Sequence, residues 1–163
     1  MPNYRRPKVT GAVVFFTVTL AQRGATALVD EIDILRAAVR ETKRERPFNI
    51  DAWVVLPDHL HCIWTLPARD RDFSTRWRLI KTRFSKELPK GPTRPSHTAR
   101  HERGIWQRRF WEHHVRDEAD YWAHVQYCWT NPVKHGFVAR PEDWPYSSVH
   151  HDKRFNPMMD FAM

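Results

Sequence analysis

A chain of 163 residues with 41% hydrophobic content and eight Trp has enough apolar material for one core and fits a single domain spanning 1–163. The net charge of +8 and a pI near 9.9 point to a polyanionic partner. Two cysteines, Cys62 and Cys128, with no CxxC pair give no disulfide framework or zinc finger, and the apolar run at 13–21 is too short to span a bilayer and precedes no cleavage site, so a reduced cytoplasmic setting without a membrane is expected.

The charge is unevenly placed. Between Arg69 and Arg109 stand 13 Lys/Arg against 4 Asp/Glu, a local +9 that leaves the rest of the chain near −1. A basic run is commonly just a solvated face. This one is rich in Arg and interleaved with Phe73, Trp77, Phe84, Trp106, Phe110 and Trp111, the mixture that phosphate pairing and base stacking favour.

In chain order, residues 1–10 form a basic arm. The β-branched and aromatic run at 12–20 predicts a strand. Residues 25–46 predict a helix, since Leu28, Ile32, Leu35, Ala38 and Val39 recur at helical spacing opposite a charged face; Pro47 ends it. Residues 50–56 and 59–66 read as antiparallel strands joined by a tight turn at Pro57-Asp58. An amphipathic helix is expected over 73–88, with Trp77, Ile80, Phe84 and Leu88 on one stripe. The Pro-rich segment 89–102 reads as an exposed, mobile loop, and 105–115 as a last strand carrying Phe110. Asp117 is placed to cap a helix over 118–131, with Pro132 stopping it and a tail over 141–163. This β-α-β-β-α-β order predicts an α+β, ferredoxin-like (RRM-like) sandwich: a central antiparallel sheet with helices on one face and a C-terminal helix carrying the candidate catalytic residues. The fold alone does not identify a function, because binding modules and small enzymes share it.

Two segments carry the candidate chemistry. In Pro57-Asp58-His59-Leu60-His61-Cys62-Ile63-Trp64 a strand periodicity of two points both imidazoles to one face. A lone His-x-His pair is often surface decoration. An apolar strand around it changes the balance, because two buried imidazoles without a ligand are costly. In Tyr127-Cys128-Trp129-Thr130-Asn131-Pro132 the phenol and the carboxamide stand at i and i+4 on one helical stripe. A core tyrosine followed by a helix-terminating asparagine is the bland alternative. Two imidazoles and an amide can hold a divalent metal, and a phenol beside it can attack phosphorus. Tyr121, the rival nucleophile, lies about 120° around the helix from Tyr127.

With these motifs the chain resembles the REP-associated tyrosine transposases, members of the single-tyrosine HUH (His-hydrophobic-His) transposases. The likeness runs in order through Asn3-Tyr4-Arg5-Arg6, Phe15-Phe16-Thr17-Val18, the segment from Ala52 through Trp64 and Trp106-Gln107-Arg108-Arg109-Phe110-Trp111-Glu112-His113. It continues through Tyr127, Asn131-Pro132-Val133-Lys134-His135-Gly136 and Asp143-Trp144-Pro145-Tyr146-Ser147-Ser148. The resemblance implies that His59, His61 and Asn131 hold a divalent metal, Mg²⁺ or Mn²⁺, and that Tyr127 is the nucleophile. Two imidazoles suit Mn²⁺ better by ligand preference. The resemblance also implies transesterification on single-stranded DNA hairpins of repetitive extragenic palindromes, through a 5′-phosphotyrosine, in a cytoplasmic, nucleoid-associated protein.

By the same resemblance, Tyr4, Arg5, Arg6 and Lys8 would read the foot of the hairpin, and the basic residues Arg76, Arg78, Lys81, Arg83, Arg108 and Arg109 would hold its stem through phosphates. The interior of the catalytic motif, Cys128-Trp129-Thr130, departs from the usual family pattern while the assigned positions hold. A non-catalytic hairpin binder and a water-using metal-dependent phosphodiesterase are the alternatives on the same fold. Monomer and homodimer are both compatible with the sequence.

Overall fold

In the computed structural model, which describes residues 9–89 and 104–159, the elements follow the expected order. They are β1 (Val13–Thr19), α1 (Ala27–Asp30), α2 (Ile32–Glu45), β2 (Asn49–Val55), β3 (His59–Thr65), α3 (Phe73–Ser85), β4 (Trp111–His114) and α4 (Glu118–Lys134). Two 3₁₀ turns, Pro141–Asp143 and Ser148–His150, come after them. The strands lie in the order β2-β3-β1-β4, every neighbouring pair antiparallel, which is the ferredoxin-like arrangement. The arm residues Tyr4, Arg5, Arg6 and Lys8, and all of the 89–102 segment except Pro89, fall outside the described residues.

Strand alternation divides the sheet into two chemically distinct faces. Val14, Phe16 and Val18 of β1 and Leu60, Cys62 and Trp64 of β3 enter one core with Leu28, Leu35 and Ala38 and with Phe73, Trp77, Ile80 and Phe84 of α3. Each fully buried large side chain there contributes roughly 1.5–3 kcal/mol of hydrophobic stabilisation. The opposite face carries Phe15, Ile63, Ala52 and Val54, which pack under Val125, Cys128 and Trp129 of α4. His59 and His61 share the parity of Ile63, so the strand aims both at the α4 side. The C-terminal helix, with part of the chain that follows it, thus packs across the sheet from α1–α3.

Local chemistry moved several boundaries. The helix expected over 25–46 is interrupted at Glu31. Its first turn is tied to the β2–β3 turn through Leu28 N–H and Pro57 C=O, 3.2 Å, and the chain re-enters a helix at Ile32. The helix of 73–88 ends at Ser85. The strand expected over 105–115 is a short β4 plus an isolated bridge between Leu20 and Trp106, because Phe110 leaves the ladder to pack its ring on Phe16, Phe73 and Trp77.

Asp117 caps α4 as expected, accepting from Asp120 N–H at 2.8 Å. Pro132, however, does not stop the helix. Proline removes only one N–H, and the helix continues to Lys134. There Gly136, at φ +76°, donates to Val133 C=O and Phe137 N–H donates to Pro132 C=O, a Schellman end that suits a residue without a Cβ. Past α4 the chain runs along β2 and protects that edge of the sheet. Val55 N–H donates to Tyr146 C=O (2.8 Å), Trp144 Nε1–H to Val55 C=O (2.9 Å) and Trp53 N–H to Ser148 Oγ (2.9 Å).

Candidate active site

The site lies where β3 passes under the second half of α4. The rings of His59 and His61 are 5.0 Å apart, and Tyr127 sets its ring edge-on to His61 at 5.1 Å. Tyr127 is about one-third exposed (36%), and its ring rests on His61 and Phe15. One helical turn later, Asn131 is wholly buried on the same stripe.

Both histidines are held from behind. His59 Nδ1 is 2.7 Å from Asp58 Oδ1, and the other Asp58 oxygen accepts from Gly24 N–H at 3.0 Å. His61 Nδ1 is 2.7 Å from the Thr17 hydroxyl, the residue directly opposite it on β1. With each Nδ1–H donating to its oxygen partner, each Nε2 keeps a lone pair for a ligand. Burial, followed by the nearby His59, His135 and Lys134, pushes the His61 pKa down to about 3, so its imidazole is neutral at physiological pH.

The polar atoms that remain unpaired carry the argument for a metal. Among the described residues, His61 Nε2 and both side-chain atoms of Asn131 are buried without a hydrogen-bond partner. Each such group costs about 1–3 kcal/mol when left unsatisfied. A neutral imidazole and a carboxamide oxygen are normal donors to a hard or borderline divalent ion, so these residues fit one.

Two further residues, quoted in the sequence motif without a role, join the site. Lys134 places its ammonium over the Tyr127 ring, 5.2 Å from the centroid, and no carboxylate among the described residues pairs with it. The His135 ring stands 5.3 Å from that of His59. Their signal in the sequence is spacing: both follow Asn131 by one turn. Thr17 and Asp58 could be found only through strand register and turn geometry.

Tyr121 is placed quite differently. Its hydroxyl donates to Asp51 Oδ2 (3.0 Å) and accepts from Arg154 Nη1 (2.8 Å), and burial raises its pKa. It belongs to a polar cluster at the far end of α4.

A second group able to hold a metal, His113, Asp120 and His124, brings its ligand atoms within 4.8 Å of one another. It is separate from the His59–His61 site, for the Phe15 ring stands between, stacked on His61 at 5.6 Å and against His124 at 4.7 Å. Here, however, the polar atoms are already matched. His113 Nε2 meets Asp120 Oδ2 at 2.8 Å, His124 Nδ1 meets the Asp120 carbonyl at 2.8 Å, and Arg116 N–H donates to the same carboxylate at 2.9 Å. The two imidazoles are stacked nearly parallel, 18° apart, so their in-plane lone pairs do not converge on one point. This cluster ties β4 to α4.

The basic residues divide into two sets. Arg76 is 1% exposed and cannot reach a phosphate: its guanidinium donates to the carbonyls of Arg46, Pro47 and Asp72 and to Asp70. Arg83 is likewise committed to Thr42, Glu41 and Glu45. Both join α3 to the chain around α2. Arg78, Arg108 and Arg109 are exposed, while Lys81 donates to Gln107 C=O and lies over the rings of Trp106 and Phe110.

No protein-family model matches the chain. Among individual proteins, a REP-associated tyrosine transposase of Escherichia coli K12 is 48% identical over 152 residues, covering 93% of this chain and 85% of the relative. A Haemophilus influenzae protein, provisionally described as a REP-associated tyrosine transposase, is 43% identical over 93% of this chain and 88% of its own length. The solved structure of a REP-associated tyrosine transposase bound to a REP hairpin superposes with a TM-score of 0.83 at 45% identity, covering 99% of this chain and 96% of that one. A Deinococcus radiodurans protein at 16% identity and a TM-score of 0.50 shares the fold.

Proposed function

Since this chain belongs to the REP-associated tyrosine transposases, and so to the DNA strand transferases, we propose that it cleaves and rejoins single-stranded DNA at REP-type hairpins through a 5′-phosphotyrosine intermediate. The observation that supports this most is the juxtaposition of a solvent-accessible phenol, Tyr127, with buried and unpaired ligand atoms on His61 and Asn131. In the attack, the Tyr127 oxygen bonds to phosphorus as the bond from phosphorus to the 3′-oxygen breaks. The phenolic proton leaves and the 3′-oxygen takes one up, so bond energy and protons balance and a later 3′-hydroxyl can reverse the step without ATP.

His59, His61 and Asn131 would hold the divalent ion that the family implies, which when bound supplies Lewis-acid polarisation of a non-bridging phosphate oxygen. Asp58 and Thr17 orient the two imidazoles through their Nδ1 atoms. Lys134 adds a positive charge beside the Tyr127 ring, where it favours an incoming phosphate. The relative bound to a REP hairpin supports a hairpin as the partner, and the exposed Arg78, Arg108 and Arg109, with the arm, are its proposed contacts. No helix among the described residues is long and apolar enough to cross a membrane, and a DNA substrate implies a cytoplasmic, nucleoid-associated site of action.

The test is a denaturing gel of a REP hairpin oligonucleotide labelled at its 3′ end, incubated with protein and Mn²⁺. Wild type should shift label into a protein band, and Tyr127→Phe should lose that band while retaining hairpin affinity. Cleaved DNA without adduct would indicate a water-using phosphodiesterase, and binding without cleavage a plain hairpin binder. Adduct formed by Tyr127→Phe and lost in Tyr121→Phe would overturn the assignment.

A further inference from the structure

The sheet register places an unassigned aromatic beside the site. Thr17 of β1 pairs with His61 on one side and with Trp111 of β4 on the other. Residues directly opposite across antiparallel strands project to the same face, so Val54, His61, Thr17 and Trp111 form one row on the face that carries the catalytic helix. At two strand spacings, Trp111 stands roughly 10 Å from His61.

α4 covers the β2–β3 side of that row. The β4 end is open, and Trp111 is 66% exposed. The indole makes no ring contact or hydrogen bond among the described residues. Two exposed cations, Arg108 and Arg109, precede it, separated from it only by Phe110, which turns into the opposite core. An exposed indole on the face that carries α4, with exposed cations close by in sequence, has the composition of a stacking platform for single-stranded DNA.

We propose that Trp111 is a nucleobase-stacking subsite that positions an unpaired base flanking the phosphate attacked by Tyr127. The inference rests on the transesterification reading above and adds to it a specific contact in the single-stranded flank. Trp111 acts by holding the flank, with Arg109 drawing its phosphate, so the strand crosses the open half of the sheet toward His61. Every base has a π-face, so the subsite senses the presence of a base more than its identity.

An abasic-site scan tests this. REP hairpin oligonucleotides, each with one abasic position in the single-stranded flank, are assayed for binding and for single-turnover adduct formation. With wild type, one position should weaken binding about five- to hundredfold, the usual span for one lost base stack. Trp111→Ala should show that loss on the intact oligonucleotide and become indifferent to the same abasic position, while Trp111→Phe keeps the sensitivity. Because the side chain is exposed, both variants should melt as wild type does. Trp111→Leu preserves apolar area without a π-face and should behave like the Ala variant. If the abasic profile of Trp111→Ala, or of Trp111→Leu should the Ala variant unfold, matches that of wild type, the subsite does not exist. Absence of adduct from wild type itself would instead overturn the transesterification reading, and the inference with it.

Discussion

At the level of single residues, the proposed site separates groups that would hold a ligand from groups that position them. Asn131 has the sharpest consequence, since it is fully buried with both polar atoms unpaired. Replacing it with an apolar residue of similar volume removes an unsatisfied amide. Asn131→Leu should therefore leave the metal-free protein at least as stable as wild type while abolishing any rise in Tm on adding Mn²⁺. Calorimetry with and without metal reads both effects, and a Tm that still rises with Mn²⁺ in the variant would remove Asn131 from the ligand set. Behind the ligands, Thr17→Val and Asp58→Asn should each lower metal affinity or adduct rate by about 10–100-fold, as loss of a histidine's supporting partner usually does. Lys134→Gln should slow adduct formation and leave hairpin affinity nearly unchanged, because one exposed charge at the reacting centre contributes little to the whole footprint. An unchanged single-turnover rate would make that lysine a bystander.

At the level of elements, α4 carries Tyr127 and Asn131, the proposed nucleophile and one proposed ligand, and its two ends fix its seat. The N-terminal end is capped by Asp117 and clamped through Asp120 to His113 of β4. The hydrogen bond from His113, followed by the Arg116 backbone, holds the Asp120 carboxyl well below the ordinary carboxylate range. A depressed folded pKa means that its stabilisation is present above the unfolded carboxylate pKa, about 3.9, and is lost as pH falls through the folded value. Melting curves should thus drop on acidification below about pH 4, and Asp120→Asn should be less stable at neutral pH with a shallower acid decline. A decline as steep as wild type's would mean that other carboxylates carry the acid transition. At the other end, Gly136→Ala forces a Cβ into the left-handed region and should cost about 1–2 kcal/mol, displacing Lys134 and His135 along with the cap.

Across the whole molecule, the same kind of residue serves two purposes according to where the fold puts it. The basic stretch looks uniform in sequence, yet Arg76 is sealed between α3 and the carbonyls after α2, while Arg78 and Arg109 face solvent. Arg76→Ala should destabilise the fold by about 2–4 kcal/mol, since it strands buried carbonyls and loosens Asp70, with DNA affinity lowered only through that loss. Arg78→Ala and Arg109→Ala should leave the melting temperature within error, weaken binding to all hairpins alike and flatten the salt dependence. Chemical denaturation paired with binding at two salt concentrations distinguishes these outcomes. A stable Arg76→Ala that loses hairpin binding would put that guanidinium on DNA after all.

The sequence by itself determined the element order, the ferredoxin-like sheet and which residues come together at the proposed site. All of these depend on local periodicity: a period of two puts His59 and His61 on one face, and a spacing of four aligns Tyr127 with Asn131. The strand boundaries at β1 and β3 were legible for the same reason, since alternating or continuous apolar runs announce themselves. What escaped was decided between elements. Phe110 left its strand because three rings across the core offered more burial than a ladder position, and α4 ran through Pro132 because a Schellman end and packing on the sheet outweighed one missing N–H. Whether an arginine meets a carbonyl or a phosphate, which hydroxyl backs His61, and that Trp111 shares a row with it all depend on register and on the face each helix covers. Those are properties of residues far apart in the chain, so only the tertiary structure could decide them.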